Sequence, residues 1–382
     1  MHEDTQDIWQ RLTEGKVFFI AEIGKNFIQT KEEQGRENYL QNAKELVGQA
    51  KESGADAVKF QTHFYRDEQW PVNVVSPHFD GSDRYTWVKR NSLITNENWW
   101  WEIKQYCDNI GVIFFSTPMS RGAAKLLNKV GVPLWKVGSG DILDFVMLDY
   151  LRQLPQPIII STGMSSTKEV DRAVRFITER NKRLAILHCV SKYPCPIEEL
   201  NVRTVGFLRT RYRQPVGFSD HSRGFTGVLQ AVKHGATIIE KHFTANRAWW
   251  GSDHKVSMLP DEYREMVKVV RRGVADIADD KIILGSETKK LADSRSEFRG
   301  LFRKSLVCAH DIKKGEIIKP SALLAMRPHA FLKGLGSEHY EAIVNKIAWR
   351  DMKAGEIFTE QEGQRINNAA RFQKRVPARN RT

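Results

Sequence analysis

Eight short apolar runs, most of them rich in Val, Ile or Phe, limit the possible folds more than any other feature of the sequence. They are VFFIAEIG (17–24), ADAVKFQT (55–62), GVIFFSTP (111–118), PLWKVGSG (133–140), PIIISTGM (157–164), LAILHCVS (184–191), PVGFSDH (215–221) and ATIIEKHFT (236–244). Near-continuous apolar strands belong to parallel sheets covered on both faces. Helical patterns separate the runs. After the first, Tyr39, Leu40, Ala43, Leu46, Val47 and Ala50 share one helix face. After the fifth, Ser166 and Glu169 are spaced as a capping box before Val170, Ala173, Val174 and Ile177. After the eighth come Tyr263, Met266, Val267, Val270 and Val274. Eight strands alternating with helices predict an α/β fold, a (β/α)₈ TIM barrel. The rival, a doubly wound open sheet, lacks a GxGxxG after its first strand.

A chain of 382 residues exceeds one hydrophobic core, so a second domain is expected. The barrel is assigned to 1–283, a polar linker to 284–301, a small mostly β module to 302–362 and a basic tail to 363–382. Within the module, His310-Asp-Ile-Lys-Lys-Gly-Glu-Ile-Ile and Arg350-Asp-Met-Lys-Ala-Gly-Glu-Ile-Phe form a faint repeat, predicting a pseudo-twofold. The stretch 63–95, between the second and third strands, reads as a long irregular loop and a candidate lid. The run Trp99-Trp100-Trp101 opens the next helix and fits a buried or interfacial face better than a sugar platform.

The net charge of +13 invites a nucleic-acid reading. However, residues 365–382 carry six basic residues and no acid, so much of the excess lies in the tail, and nucleic acid is disfavoured as a partner. The rest suits anionic substrates. No apolar run approaches the ~20 residues needed to cross a bilayer, and the polar N-terminus is unlike a signal peptide. Four cysteines without a CxxC pair fit a reducing cytoplasm.

In such barrels chemistry gathers where the strands end. Those ends carry Glu22 and Asn26; Lys59 and Gln61; Ser116 and Thr117; Lys136, Ser139 and Asp141; Ser161 and Thr162; Ser191 and Tyr193; Ser219, Asp220 and His221; Glu240, His242 and Thr244. Lys59, Lys136, Thr117, Ser139, Ser161 and Ser219 suit a phosphate or carboxylate. His221 and His242, on neighbouring strands, can share one divalent metal. Two imidazoles with open, oxygen-filled positions favour Mn²⁺, Fe²⁺, Co²⁺ or Zn²⁺ over Mg²⁺. Glu22 is placed for acid–base work. His188 and Cys189 read as packing, and His2, His63, His78 and His234 as loop or surface residues.

With these ends in view, the sequence resembles the sialic acid synthase family, the phosphoenolpyruvate-dependent synthases of nonulosonic acids. The matching stretches are AEIGKN (21–26), VKFQT (58–62), FFSTP (114–118), WKVGSGD (135–141), IISTGM (159–164), LHC…YP (187–194), GFSDH (217–221), EKHFT (240–244) and GSDHKVSM (251–258). The last module is similar to the antifreeze-like, or SAF, domain of these enzymes. The resemblance implies condensation of phosphoenolpyruvate with the open-chain aldehyde of an N-acetylated hexosamine, N-acetylmannosamine by default, with release of phosphate. It implies a metal, Mn²⁺ first, on His221 and His242, and catalytic roles for Glu22, Lys59 and Asp141. Lys59, Thr117, Lys136, Ser139, Ser161 and Ser219 would grip phosphoenolpyruvate. Asn26, Gln61, Ser191, Tyr193 and Asp253 would lie on the sugar side. Arg327 of AMRPHAF would reach into a partner subunit's barrel, implying a domain-exchanged homodimer. Phe27, Ser191 and Ser252 depart from the family pattern on the acceptor side, which brings in a 6-deoxy diamino hexose as an alternative acceptor. A Schiff-base aldolase using Lys59 or Lys136, and a non-enzymatic binding module, are the competing classes.

Overall fold

The computed structural model describes residues 5–14, 16–76, 79–289 and 297–366. Each apolar run contains one strand: β1 (Phe18–Gly24), β2 (Ala57–Thr62), β3 (Ile113–Pro118), β4 (Trp135–Val137), β5 (Ile158–Ser161), β6 (Leu184–Cys189), β7 (Val216–Asp220) and β8 (Ile238–His242). All ladders are parallel, in the order β3-β2-β1-β8-β7-β6-β5-β4, and β3 lies beside β4 to close the barrel. Register decides what meets at the carboxyl ends. Glu22 stands opposite both Lys59 and His242, Gln61 opposite Thr117, and Ser219 opposite both Glu240 and Cys189.

The helices bury the faces their spacing predicts. Arg36–Glu52 buries Tyr39, Leu40, Ala43, Leu46, Val47 and Ala50. Ser166 and Glu169 form a reciprocal capping box. Trp99 and Trp100 are fully buried in a cluster with Phe27, Phe60 and Phe114, while Trp101 is 36% exposed. Phe27 therefore belongs to this core and does not face a sugar.

The stretch 63–95 is not an irregular loop. It holds a turn at Tyr65–Asp67, a small hairpin (Val75–Ser76 with Phe79–Asp83) and a helix, Arg84–Ile94. Asp83 caps that helix by accepting from the Thr86 amide at 3.0 Å. The helix was illegible because its buried face includes Arg84, Arg90 and Asn91 beside Trp87 and Val88, which erases the apolar period. Of the assigned linker, residues 297–301 fall within a helix, Glu297–Phe302, and 290–296 lie outside the described residues. Most of the basic tail lies outside them too, although 363–366 continue a helical turn.

The β character of the last module rests on one antiparallel ladder, Ser305–Cys308 with Leu323–Met326, and four antiparallel bridges. Its pseudo-twofold is visible in atoms. Asp351 accepts from the Lys314 amide and Asp311 from the Ala354 amide, each at 2.9 Å, and Ile312 pairs with Met352 across the axis. The repeated Asp-x-Lys-x-Gly-Glu thus encodes two turns that cap one another.

Removing Trp99 would leave a large cavity, so Trp99→Ala should cost about 3–5 kcal/mol in chemical denaturation. Trp101→Ala, near the surface, should stay within about 0.5 kcal/mol.

Candidate active site

The strand ends open into one cavity of about 820 Å³, counting its mouth. Its floor is a lattice of alternating buried charges. Lys59 Nζ lies 2.6 Å from Glu22 Oε2 and 3.8 Å from Glu240 Oε1, and donates to Thr117 Oγ1 at 3.0 Å. Lys136 Nζ lies 3.7 Å from Glu240 Oε2 and donates to Ser161 Oγ at 2.7 Å. Ser219 Oγ donates to Glu240 Oε1 at 3.0 Å, and Gln61 Nε2 to Glu22 Oε1 at 2.8 Å.

The two carboxylates are pushed apart in acidity. Burial lifts the Glu22 carboxyl above its usual range against the pull of Lys59. Burial would raise Glu240 as well, but Lys136 and Lys59 outweigh it and hold the pKa at about 2. The two carboxyls thus shift in opposite directions, Glu22 up and Glu240 down, a pattern typical of acid–base sites. For Lys59, burial opposes the charge, yet Glu22 and Glu240 more than compensate and raise its pKa.

Beside the lattice, the His221 and His242 rings face one another with centroids 5.4 Å apart, and Tyr193 stands 4.3 Å from the first. His221 Nδ1 lies 2.9 Å from the Val190 carbonyl, a contact that puts the proton on Nδ1 and leaves Nε2 as a lone-pair donor. His242 Nδ1 is buried without a partner among the described residues, and burial holds this ring neutral, with a pKa of about 3. Burial opposes a charge on His221, but Cys189 and the Val190 carbonyl outweigh it and raise its pKa. The two rings beside an oxygen-rich cavity offer imidazole nitrogens to a divalent cation. No group of three or more His, Cys, Asp or Glu stands at ligating spacing among the described residues, so two imidazoles make up the protein's recognisable donor set.

Around the rim, Ser139 Oγ accepts from the Gly163 amide at 3.1 Å. A Cβ on Gly163 would stand 2.3 Å from Ser191 Oγ and 2.7 Å from Ser139 Oγ, so only glycine lets these hydroxyls converge. Asp253, Ser191, Tyr193 and Arg327 also line the cavity.

Several expectations are corrected. Asn26 turns away: the backbone bulges between Glu22 and Gly24 (φ +56°), and Asn26 Nδ2 donates to Phe243 O at 2.8 Å and Ser257 Oγ at 3.0 Å. Asp141 reaches the cavity, but its carboxylate is committed to Lys304, at 2.8 Å, and to Arg327. Arg327 lines the cavity of its own chain. Its backbone pairs with 68–70, donating to Glu68 O at 2.9 Å and accepting from the Trp70 amide at 2.8 Å, and its guanidinium meets Asp141. Cys189 is more than packing: it lines the cavity 3.8 Å from His221 Nδ1. His63 is buried against Glu68 at 2.8 Å, and His234 lies half-buried 3.6 Å from Asp279. His188 is packing, with Nε2 2.6 Å from the Leu200 carbonyl. His2 and His78 lie outside the described residues.

Sequence reasoning missed Lys25, Arg84, Phe298 and Phe302, all of which line the cavity. Lys25 sat inside a recognised motif, so a signal existed. Arg84 and Phe298 come from segments read as loop and linker, which gave none, and Phe302 opens the small module, where nothing marked it.

A family model described as the NeuB family matches residues 46–281, and a SAF domain model matches 303–362. The chain belongs to the NeuB family. Among relatives of this NeuB-family chain, the N,N'-diacetyllegionaminic acid synthase of Campylobacter jejuni is 31% identical over 90% of the chain and 99% of that protein. The human N-acetylneuraminate-9-phosphate synthase is 30% identical over 79% of the chain and 80% of that protein. The crystal structure of the spore coat polysaccharide biosynthesis protein SpsE of Bacillus subtilis superposes with a TM-score of 0.73 at 30% identity, covering 92% of this chain and 96% of that one. The family is that of sialic-acid-type synthases of carbohydrate biosynthesis. No described helix is long and apolar enough to cross a membrane.

The cysteines separate by environment. All four are buried and free, and burial raises Cys107, Cys195 and Cys308. For Cys189 burial is outweighed by His221, which lowers the thiol. Iodoacetamide should therefore label Cys189 first, read by peptide mass spectrometry, and phosphoenolpyruvate should slow that labelling at least fivefold.

Proposed function

We propose that this chain condenses phosphoenolpyruvate with the open-chain aldehyde of an N-acetylated hexosamine, giving a nonulosonic acid and inorganic phosphate. The observation that carries the reading is the convergence of two lysines, four hydroxyls and a paired-imidazole site on one cavity beside a protonatable carboxyl. Lys59 with Thr117, and Lys136 with Ser139, Ser161 and Ser219, supply the cations and hydroxyls that a phosphate and a carboxylate on one small molecule require.

Carbon 3 of phosphoenolpyruvate adds to the aldehyde carbon, forming the new C–C bond as the carbonyl oxygen becomes a hydroxyl. Water then adds to the cationic carbon 2, and the tetrahedral adduct expels phosphate. Glu22, with its raised pKa, donates to the nascent hydroxyl and can then take the proton that the water gives up. Glu240 stays ionised and keeps Lys59 and Lys136 aimed into the cavity. Gln61, Tyr193 and Asp253 line the acceptor's side. A divalent cation on His221 and His242, Mn²⁺ by preference, would supply Lewis-acid polarisation of the aldehyde oxygen. N-acetylmannosamine and 6-deoxy diamino hexoses both remain acceptors that this chemistry accommodates. An imine-forming aldolase on Lys59 is disfavoured, because it needs a neutral lysine and the neighbouring Glu22 and Glu240 raise the Lys59 pKa. Burial lowers Lys136, which is the lysine that reading would have to use.

Phosphate release should require phosphoenolpyruvate, metal and an aldose together, and no release across a panel of N-acetyl hexosamines would defeat the reading. Glu22→Gln should lower kcat by about 10²–10⁴. His221→Ala or His242→Ala should abolish both turnover and metal retention, with the circular dichroism spectrum unchanged. Full activity in either variant would remove the metal assignment.

A further inference from the structure

Next to the cavity lies a smaller chamber lined by Lys25, Ser76, Phe79, Ser82, Arg84, Trp87 and Ser252. Lys25 and Arg84 line both spaces, so the chamber is a side room of the cavity. It presents two cations, an indole N–H and three serine hydroxyls. Lys25 is 8% and Arg84 6% exposed, and neither makes a hydrogen bond or ion pair among the described residues. The nearest ring contacts are Lys25 Nζ 5.9 Å from the Trp87 centroid and the Arg84 guanidinium 4.2 Å from that of Phe302. Arg84 Nε, Trp87 Nε1 and Ser252 Oγ are buried without a hydrogen-bond partner among the described residues. No acidic residue lines the chamber among the described residues.

Burying an unpaired cation costs several kcal/mol, and chains seldom bury two of them side by side. Elsewhere in this site every lysine and arginine has a carboxylate: Lys59 has Glu22, Lys136 has Glu240, and Arg327 has Asp141. Only Lys25 and Arg84 break the rule. Their cost shows in their acidity. Burial lowers Lys25, with Asp253 partly offsetting it, and burial together with Arg327 lowers Arg84 to about 10, against the weaker pull of Glu68, Asp141 and Asp253.

We propose that Lys25 and Arg84, with Ser252 and the Trp87 indole, bind an anionic group on the acceptor sugar, remote from its aldehyde. This rests on the condensation reading above and narrows it: the acceptor is an N-acetylated hexose bearing a phosphate or a carboxylate at its far end. Gln61 and Asp253 line the main cavity together with Lys25 and Glu22. A Cβ on Gly24, the residue before Lys25, would sit 3.1 Å from Glu22 Oε1, 3.2 Å from Gln61 Nε2 and 3.6 Å from Asp253 Oδ2. A linear sugar with its aldehyde at the histidines can therefore run past these polar groups toward Lys25.

Alditols test this without turnover, because they lack the aldehyde. With phosphoenolpyruvate present, calorimetry would compare N-acetylmannosaminitol, its 6-phosphate and its terminal carboxylate analogue. One anionic form should bind at least 30-fold more tightly than the neutral one, and the better of the two identifies the group. Lys25→Met or Arg84→Met should shrink that gap at least tenfold, and Lys25→Arg should restore most of it. Should Arg84→Met fail to fold, the two Lys25 variants suffice. Equal binding of the three alditols, or a gap that survives the substitutions, would overturn the proposal. So would a matching loss of phosphoenolpyruvate affinity, which would assign the pair to that substrate's carboxylate. Failure of the synthase reading shows separately, as absence of phosphate release from any aldose.

Discussion

The alternation Glu22–Lys59–Glu240–Lys136 across the barrel floor is the constraint on which the rest of the site depends. Four charges in a space this dry cost several kcal/mol each unless each faces an opposite charge. The parallel register supplies that match, placing Glu22 opposite Lys59 and Ser219 opposite Glu240. A slip of one residue in β1 or β8 would turn these side chains into the helical layer, where nothing could pair them. The same geometry separates the two carboxylates in acidity, because Glu240 is flanked by both lysines while Glu22 has one. Fold and acid–base capacity thus share one cause.

A second ionic knot joins the small module to the barrel. Lys304 and Arg327 meet Asp141, Lys304 also reaches Asp144 at 2.7 Å, and Glu68 lies 4.0 Å from Arg327 Nε. The backbone of Arg327 pairs with 68–70, which leads into the hairpin and helix of 75–94. Phe302, at the foot of the module, packs beneath the guanidinium groups of Arg84 and Arg327. The mouth of the cavity is therefore built from the barrel, the β2–β3 insertion and the C-terminal module together.

Legibility followed the physics of each segment. The strands could be read because both faces of a parallel sheet are buried, which leaves short apolar runs with abrupt polar ends. The helices at 36–52 and 260–272 could be read because one face is apolar and the other wet. The helix at 84–94 could not, since it buries arginines whose partners are aromatic faces and carbonyls far along the chain: Arg90 donates to Lys31 O at 2.9 Å. Asn26 was misplaced because a bulge two residues earlier rotates it, and a bulge has no reliable one-residue signature.

The sequence by itself determined the barrel, the level at which its strands turn polar, and the pair of histidines, because period and strand-end composition are local properties of the chain. Only the tertiary structure decided which polar groups are paired. It set Lys59 between two glutamates, took Asp141 for the C-terminal module, turned Asn26 outward and left Lys25 and Arg84 without a carboxylate. Whether a buried charge is satisfied depends on neighbours tens to hundreds of residues away, and that information exists only once the chain has folded.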